Sequence, residues 1–430
     1  MLHARLAAAF EALDAAGVRW CLLRVPSNPA APSGDVDLLI ETSDAEVLGE
    51  VLRTCGFVAV PGWQRLPGML WIAFDEDSGC FLVLDITDEV SFGPEGLFRT
   101  NTHTGCLARR RQDGPLSLLD DDDAFWALLL HCLLDKSTIP EHYHQRLVAM
   151  GRTASVEGPL AHVIASVAGP DAAPVALRAA AQSADWPALQ AMAAPLTRSW
   201  RAALTPFERA RPATTQARRW ARAPLLLRRR RGVSVALLGL NGAGKSTLTA
   251  GIAEAFPFPV SEVYMGLWKS GDLPGGEIPL VAPLLRPVLA WRRYLSGLRS
   301  QLLGRLVIFD RYVHDARLPP APPYLRAKQV YMWLLARSVP PPDVVLLLDL
   351  PAEAATGRKD ERTREQNEVE RAAYLAMAAN LGSIEVLDAS RGRDAVRTEA
   401  LTTIWQHYRR RWGAGGAPTG TGPRDQATHR

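Results

Sequence analysis

The chain has 430 residues, 47% of them hydrophobic and 22% charged, which is too long for one ordinary core and too balanced for a disordered or fibrous protein. With 49 basic against 45 acidic residues the formal charge is only +4, so the composition excludes a general nucleic-acid footprint and leaves only local charged runs to explain. The five cysteines (Cys21, Cys55, Cys80, Cys106, Cys132) have no C-x-x-C or zinc-finger spacing, Leu6–Phe10 is too short for a signal peptide, and Phe125–Leu134 falls below the ~18 residues of a membrane span; a cytoplasmic protein without a transmembrane segment is expected.

From Leu2 to about Val90 helix and strand patterns alternate: an Ala/Leu-rich helix, strands near Trp20–Arg24 and Val36–Ile40, a helix over Ala45–Cys55, then strands near Trp71–Phe74 and Phe81–Ile86. This predicts a small α/β domain over residues 1–115. Within it, Gly34-Asp35-Val36-Asp37 places two carboxylates two residues apart, hence on one side of a strand, and Asp85 ends the apolar run Phe81–Leu84. Such a set is able to hold a divalent metal. The arrangement resembles the nucleotidyltransferase superfamily over residues 1–100. That resemblance implies two Mg²⁺ ions on Asp35, Asp37 and Asp85 for nucleotidyl transfer. The family's glycine turn upstream of the pair is replaced by Arg24-Val25-Pro26-Ser27, and a degenerate domain that binds a ligand or partner is the competing reading.

Residues 116–204 are rich in Ala and Leu at helical spacing and predict a helical region. There Asp120–Asp123 reads as an acidic helix start, and His131, Asp135, Glu141, His142 and His144 read as structural or surface residues, because His142 and His144 on one helix point to different faces. Residues 205–231 carry prolines and the arginines 218, 219, 222 and 228–231. Such a run faces phosphates or anionic lipid, or is a solvated linker, and the linker is the plainer reading. The tail, 413–430, has the Gly, Thr, Pro and charged composition of a disordered segment.

Between linker and tail, residues 232–412 predict a second domain. Val233–Leu238, Leu306–Phe309 and Val344–Leu350 are near-continuous apolar runs separated by helical stretches, the pattern of a parallel sheet covered on both faces. Directly after the first run, Gly239-Leu240-Asn241-Gly242-Ala243-Gly244-Lys245-Ser246-Thr247 matches G-x-x-x-x-G-K-[ST], and the helical run Leu248–Phe256 follows. In this strand–loop–helix context the glycines allow backbone N–H groups to close on phosphates, and the helix start adds its positive dipole end. Lys245 is expected to reach the β- and γ-phosphates of a nucleoside triphosphate, with Ser246 contributing a hydroxyl to Mg²⁺.

The second run ends in Asp310-Arg311-Tyr312, and the third leads through Asp349-Leu350-Pro351 to the charged segment Arg358–Arg364. With these elements residues 232–408 resemble the thymidylate kinase family of P-loop nucleoside monophosphate kinases. The resemblance implies ATP and Mg²⁺, with Asp310 acting on the metal or the acceptor, Arg311 gripping the acceptor's phosphate, and lid arginines such as Arg358 and Arg362 stabilising the transferred group. Where the family holds its acceptor base, this chain has Val263–Trp268 and then a Gly/Pro-rich loop, Gly271–Pro279, while Arg286, Arg292, Arg293 and Arg299 lie on the next helix. The expectation is therefore an ATP-dependent kinase of a small phosphorylated acceptor, a nucleotide or sugar phosphate. The alternative is an NTP-hydrolysing switch whose first domain is a non-catalytic binding module.

Overall fold

The computed structural model describes residues 2–26, 28–32, 34–60, 69–136, 138–169, 172–214, 217, 232–266, 282–318, 325–356 and 363–413. The chain divides into two compact units, one of residues Met1–Ala73 and Leu82–Ala223, the other of Phe74–Phe81 and Pro224–Arg430. Among the described residues no helix is long and apolar enough to cross a membrane.

The first unit is built on a seven-stranded mixed sheet in the order β3-β4-β5-β2-β1-β9-β8. Its strands are β1 (Trp20–Leu22), β2 (Asp35–Ile40), β3 (Val58–Val60), β4 (Met69–Asp75), β5 (Cys80–Thr87), β8 (Arg111–Asp113) and β9 (Leu116–Leu118), while β6 (Ser91–Phe92) and β7 (Phe98–Arg99) form a separate ribbon. Strand alternation sorts the side chains to two faces. Trp20, Leu22, Val36, Leu38, Ile40, Leu82, Leu84 and Ile86 form a core with Leu6 and Phe10 of α1 (Ala4–Ala15) and Leu48 and Leu52 of α2 (Ala45–Thr54). Cys21 and Leu39 face the other way, into a core with Phe125, Trp126 and Leu129 of α4 (Asp121–Leu130), which follows the short α3 (His103–Arg109). That second layer is completed by α5 (His144–Thr153), α6 (Pro159–Val167), α7 (Pro174–Gln182) and α8 (Trp186–Ala203).

The expected boundary at residue 115 is thus corrected. The hairpin β8–β9 straddles it, Leu22 pairs with Leu118, and the helices of 116–204 cover one face of the same sheet. A half-buried sheet needs a layer on its apolar face, and that is what the helical region supplies. Of the expected linker 205–231, residues 206–214 are helical and most of the rest lies outside the described residues, as does the tail beyond residue 413.

The second unit is a five-stranded, wholly parallel sheet in the order β11-β12-β10-β13-β14. Its strands are β10 (Ser234–Gly239), β11 (Val260–Tyr264), β12 (Leu306–Asp310), β13 (Val344–Asp349) and β14 (Ile384–Asp388). The central strand β10 is buried along its whole length, as a parallel strand covered on both faces must be. Ala236, Leu238, Val307, Phe309, Val345 and Leu347 pack with residues of α10 (Ala282–Leu302), α11 (Leu325–Leu335) and α13 (Arg364–Leu381). Between β13 and α13 lies the short α12 (Ala352–Thr356). The helices α9 (Lys245–Ala255) and α14 (Arg393–Gly413) pack on one another and carry the buried Leu248, Ile252, Leu401, Ile404 and Tyr408. At the amino end of the sheet Asp343 ties four elements together. It accepts bonds from the backbone N–H and hydroxyl of Ser234 at 2.8 Å each, from Arg411 Nη2 at 2.6 Å and from the Gln301 amide.

Candidate functional site

The carboxyl ends of β10 and β12 lie side by side, and the Gly239–Thr247 loop leaves β10 there. Leu237 of β10 is level with Asp310 of β12, and Tyr264 of β11 is level with the same aspartate. The chain then turns at Gly239 with φ +135°, where an added Cβ would stand 2.6 Å from the Leu348 carbonyl oxygen. Only glycine fits there. Gly242 and Gly244 also hold positive φ, 85° and 94°, and Gly244 sits at the start of α9 in the left-handed region with no side-chain cap. The first N–H groups of α9 therefore have no side-chain acceptor at the cap position, the condition under which a helix start binds anions. Lys245, the first residue of α9, donates from Nζ to the carbonyls of Gly239 at 2.9 Å and Leu240 at 2.8 Å, so its ammonium is kept inside the loop. Ser246 and Thr247 are exposed beside it.

Asp310 ends β12, and its Oδ1 is buried with no hydrogen-bond partner. A buried carboxylate oxygen without a donor is costly. A divalent cation would satisfy it, since a carboxylate oxygen is the hard donor that Mg²⁺ takes.

Arg311 follows with a left-handed φ of +65°, a strained setting for a side-chain-bearing residue. Its Nη1 donates to Asp315 Oδ2 at 3.0 Å and its Nη2 to Oδ1 of Asn241 in the Gly239–Thr247 loop. Asp315 in turn accepts from the Tyr374 hydroxyl of α13 at 2.9 Å. Burial works against the guanidinium's charge, yet Asp315 holds its pKa above the usual value. The guanidinium thus links the Gly239–Thr247 loop to Asp315 and α13.

On the β11 side, Arg293 of α10 lies over the Tyr264 ring at 5.3 Å and donates to the Gly266 carbonyl at 2.7 Å. Arg286 is hydrogen-bonded to Tyr331, whereas Arg292 and Arg299 are exposed on the outer side of α10. On the β13 side, Arg371 of α13 forms a bidentate pair with Asp349 at 2.6 and 2.8 Å. The expected lid residues Arg358 and Arg362, and the loop Gly271–Pro279, lie outside the described residues.

The first unit has a separate cavity of about 630 Å³, lined among others by Arg24, Asp35, Asp37, Asp85, Glu89, His131 and Asp135. Its position follows from strand parity. Asp35 and Asp37 share the face of Leu39, which looks toward the helical layer, and Asp85 is level with Asp37 on the neighbouring strand. Arg24 donates to Asp37 Oδ2 from Nε at 3.1 Å and Nη2 at 2.7 Å. Burial, then the charge of Asp37, push the Asp35 carboxyl above its usual pKa, and Arg24 works against them. Among the described residues no group of three or more His, Cys, Asp or Glu is placed to hold a metal ion. The structure brings the expected metal set of Asp35, Asp37 and Asp85 to one cavity, where a guanidinium takes up the Asp37 charge.

Sequence reasoning missed two residues of this cavity. His131 Nδ1 is 2.8 Å from Asp135 Oδ2 within a π-helical turn, and Asp135 Oδ1 accepts from the Gly93 N–H at 2.6 Å. The i,i+4 spacing of His131 and Asp135 was the available signal. His144 stacks on Trp186 and His142 packs on Tyr143, with ring centroids 4.0 Å apart in each case. Asp120 caps α4 and, with Asp122, accepts from Arg109.

Comparison with known proteins finds no family model that matches the sequence and no curated protein that does. A solved structure of thymidylate kinase from Candida albicans is similar to part of the chain, at 20% identity over 41% of this chain and 93% of that one, with a TM-score of 0.35.

Proposed function

We propose that the second unit is an ATP-dependent phosphotransferase that passes the γ-phosphoryl group to a small anionic acceptor. The observation that carries this reading is the pairing of the Gly239–Thr247 loop with Asp310, whose buried Oδ1 lacks a partner at the end of the adjacent strand. A loop alone binds a triphosphate, but a carboxylate at this position also gives the site a group that acts on the acceptor or its metal. When bound, Mg²⁺ supplies charge neutralisation between the phosphates. In this reading the N–H groups of residues 240–247 cradle the β-phosphate, Lys245 leaves its loop carbonyls to follow charge onto the migrating group, and Ser246 and Asp310 would hold the metal. Arg311 acts as a positioning residue through Asn241. Arg293, beside Tyr264, is the cation best placed for an acceptor's anionic group, and Arg358 and Arg362 remain candidates for closure over the site.

For the first unit, the bond from Arg24 to Asp37 favours a binding module over a metal-dependent nucleotidyltransferase. The test of the main reading is a screen of nucleoside monophosphates and sugar phosphates with γ-labelled ATP. Transfer of label to one acceptor class, dependent on Mg²⁺ and on Lys245, is expected. Label released only as inorganic phosphate, at a rate indifferent to every acceptor, contradicts it.

A further inference from the structure

On the outer side of the second unit, α10 and α11 present a row of large apolar side chains to solvent. Val288, Trp291 and Leu295 of α10 and Leu303 just past its end are 64%, 43%, 52% and 60% exposed, and Val330, Trp333 and Leu334 of α11 are 62%, 55% and 56% exposed. Their spacing, 288-291-295 and 330-333-334, puts each set on one stripe of its helix. The same stripes carry Arg292 and Arg299 on α10 and Arg326 on α11, with Arg337 just beyond its end, all four exposed. Neither helix contains an acidic residue. The two stripes belong to one face, since Arg286 bonds Tyr331 and Trp291 shares a recess of about 440 Å³ with Ala336, Arg337 and Ser338.

That recess is also basic, being lined by Arg317 and Arg337; His314 there adds no charge, because burial and then Arg317 push its pKa down to about 4. His314 is 8% exposed, and its Nδ1 has no hydrogen-bond partner.

An apolar face of this extent calls for a cover. A second copy joined face to face would bring arginines against arginines with no carboxylate on either helix to answer them, which costs free energy. An anionic lipid surface answers both features: tryptophan and leucine enter the boundary between headgroups and acyl chains while the arginines meet phosphates. We propose that this face docks the protein on an anionic membrane surface, with helices α10 and α11 lying in the interfacial plane. The proposal does not depend on the phosphotransferase reading.

The test is co-sedimentation of the full chain with vesicles of phosphatidylcholine alone and of phosphatidylcholine mixed with phosphatidylglycerol, at low and at raised salt. Binding to the mixed vesicles, weakened by salt, with little binding to the neutral ones is expected. Arg292→Glu/Arg299→Glu should weaken it by at least about 30-fold, given roughly 1 kcal/mol per basic residue near such a surface. Trp291→Ser/Trp333→Ser should weaken it by roughly tenfold or more through lost burial. Circular dichroism checks that each variant is folded; if the tryptophan variant is not, the arginine variant, whose changes lie on exposed side chains, decides. Absence of binding overturns the proposal, and so does binding that both variants retain, which would place it elsewhere, as on the arginines of 218–231. A wild-type dimer in light scattering that the tryptophan variant turns into a monomer also overturns it, in favour of a second copy on this face.

Discussion

At the scale of single residues, Arg311 decides how the candidate site is to be understood. An arginine beside a catalytic carboxylate invites assignment to a substrate phosphate. Here its two terminal nitrogens, Nη2 and Nη1, go to Asn241 and Asp315, and its backbone is held at a positive φ. Side chains so fixed orient their neighbours. Arg311→Ala is therefore expected to lower kcat about 10- to 100-fold and to raise the KM for ATP more than the KM for the acceptor. Steady-state kinetics with each substrate varied checks this. A KM effect confined to the acceptor would restore the phosphate-grip role. The sequence made the Asp310-Arg311 pair legible as a motif but not the direction of the guanidinium, because Asp315 and Tyr374 reach it only through the fold, Tyr374 from 59 residues beyond its partner.

Elements show which parts of a fold leave a mark on sequence. The central strands β10, β12 and β13 are buried along most of their length and announce themselves as apolar runs. The edge strands β11, Val-Ser-Glu-Val-Tyr, and β14, Ile-Glu-Val-Leu-Asp, are half exposed, so polar residues interrupt them and they escaped notice. In the first unit the short β8 and β9 were lost for a related reason, three residues each being too few for an alternation to register. What joins elements is just as hidden from local pattern. Asp343 precedes β13 in what reads as a turn, yet it joins β10, α10 and α14. Burial alone would raise its pKa, but the Ser234 N–H and then Arg411 outweigh that and leave it depressed. A carboxyl depressed in the folded state contributes stability above its unfolded pKa, and that stability is lost as pH falls through the folded value. Asp343→Asn should thus cost about 2–3 kcal/mol at neutral pH. The gap in Tm between variant and wild type should close below roughly pH 4. Thermal unfolding at several pH values reads it, and a gap that persists unchanged into acid would remove the ionic part of the explanation.

At the scale of the whole molecule, two units carry two separate candidate sites. Every residue assigned to phosphoryl transfer lies after Pro224, while the cavity with Asp35, Asp37, Asp85 and His131 lies within the first unit. The two units divide between Ala223 and Pro224, inside the segment 205–231 that is expected as a linker and of which residues 206–214 are helical. A sequence-specific protease site inserted between Ala223 and Pro224, where the units divide, should on cleavage leave ATP affinity within about twofold of the uncut protein, as expected when no contact of the site is broken. Loss of binding on cutting would mean that the phosphate-binding loop depends on continuity of the chain. The first unit's ligand class was less legible than its fold. The D-x-D pair and Asp85 line one cavity, but Arg24 sits thirteen residues before Asp37 on the far side of a turn, and nothing local signals that its guanidinium lands on that carboxylate.

The account stands or falls on phosphoryl transfer at the loop beside Asp310. The most direct measurement is the rate of label transfer from γ-labelled ATP to the best acceptor of the screen, compared among wild type, Lys245→Ala and Asp310→Asn, with ATP affinity measured on the same samples. Loss of several kcal/mol of transition-state stabilisation predicts a fall on the order of 10³-fold for Lys245→Ala. For Asp310→Asn the rate should fall by a comparable factor while ATP affinity changes only about twofold. Transfer at the wild-type rate in either variant would contradict the account.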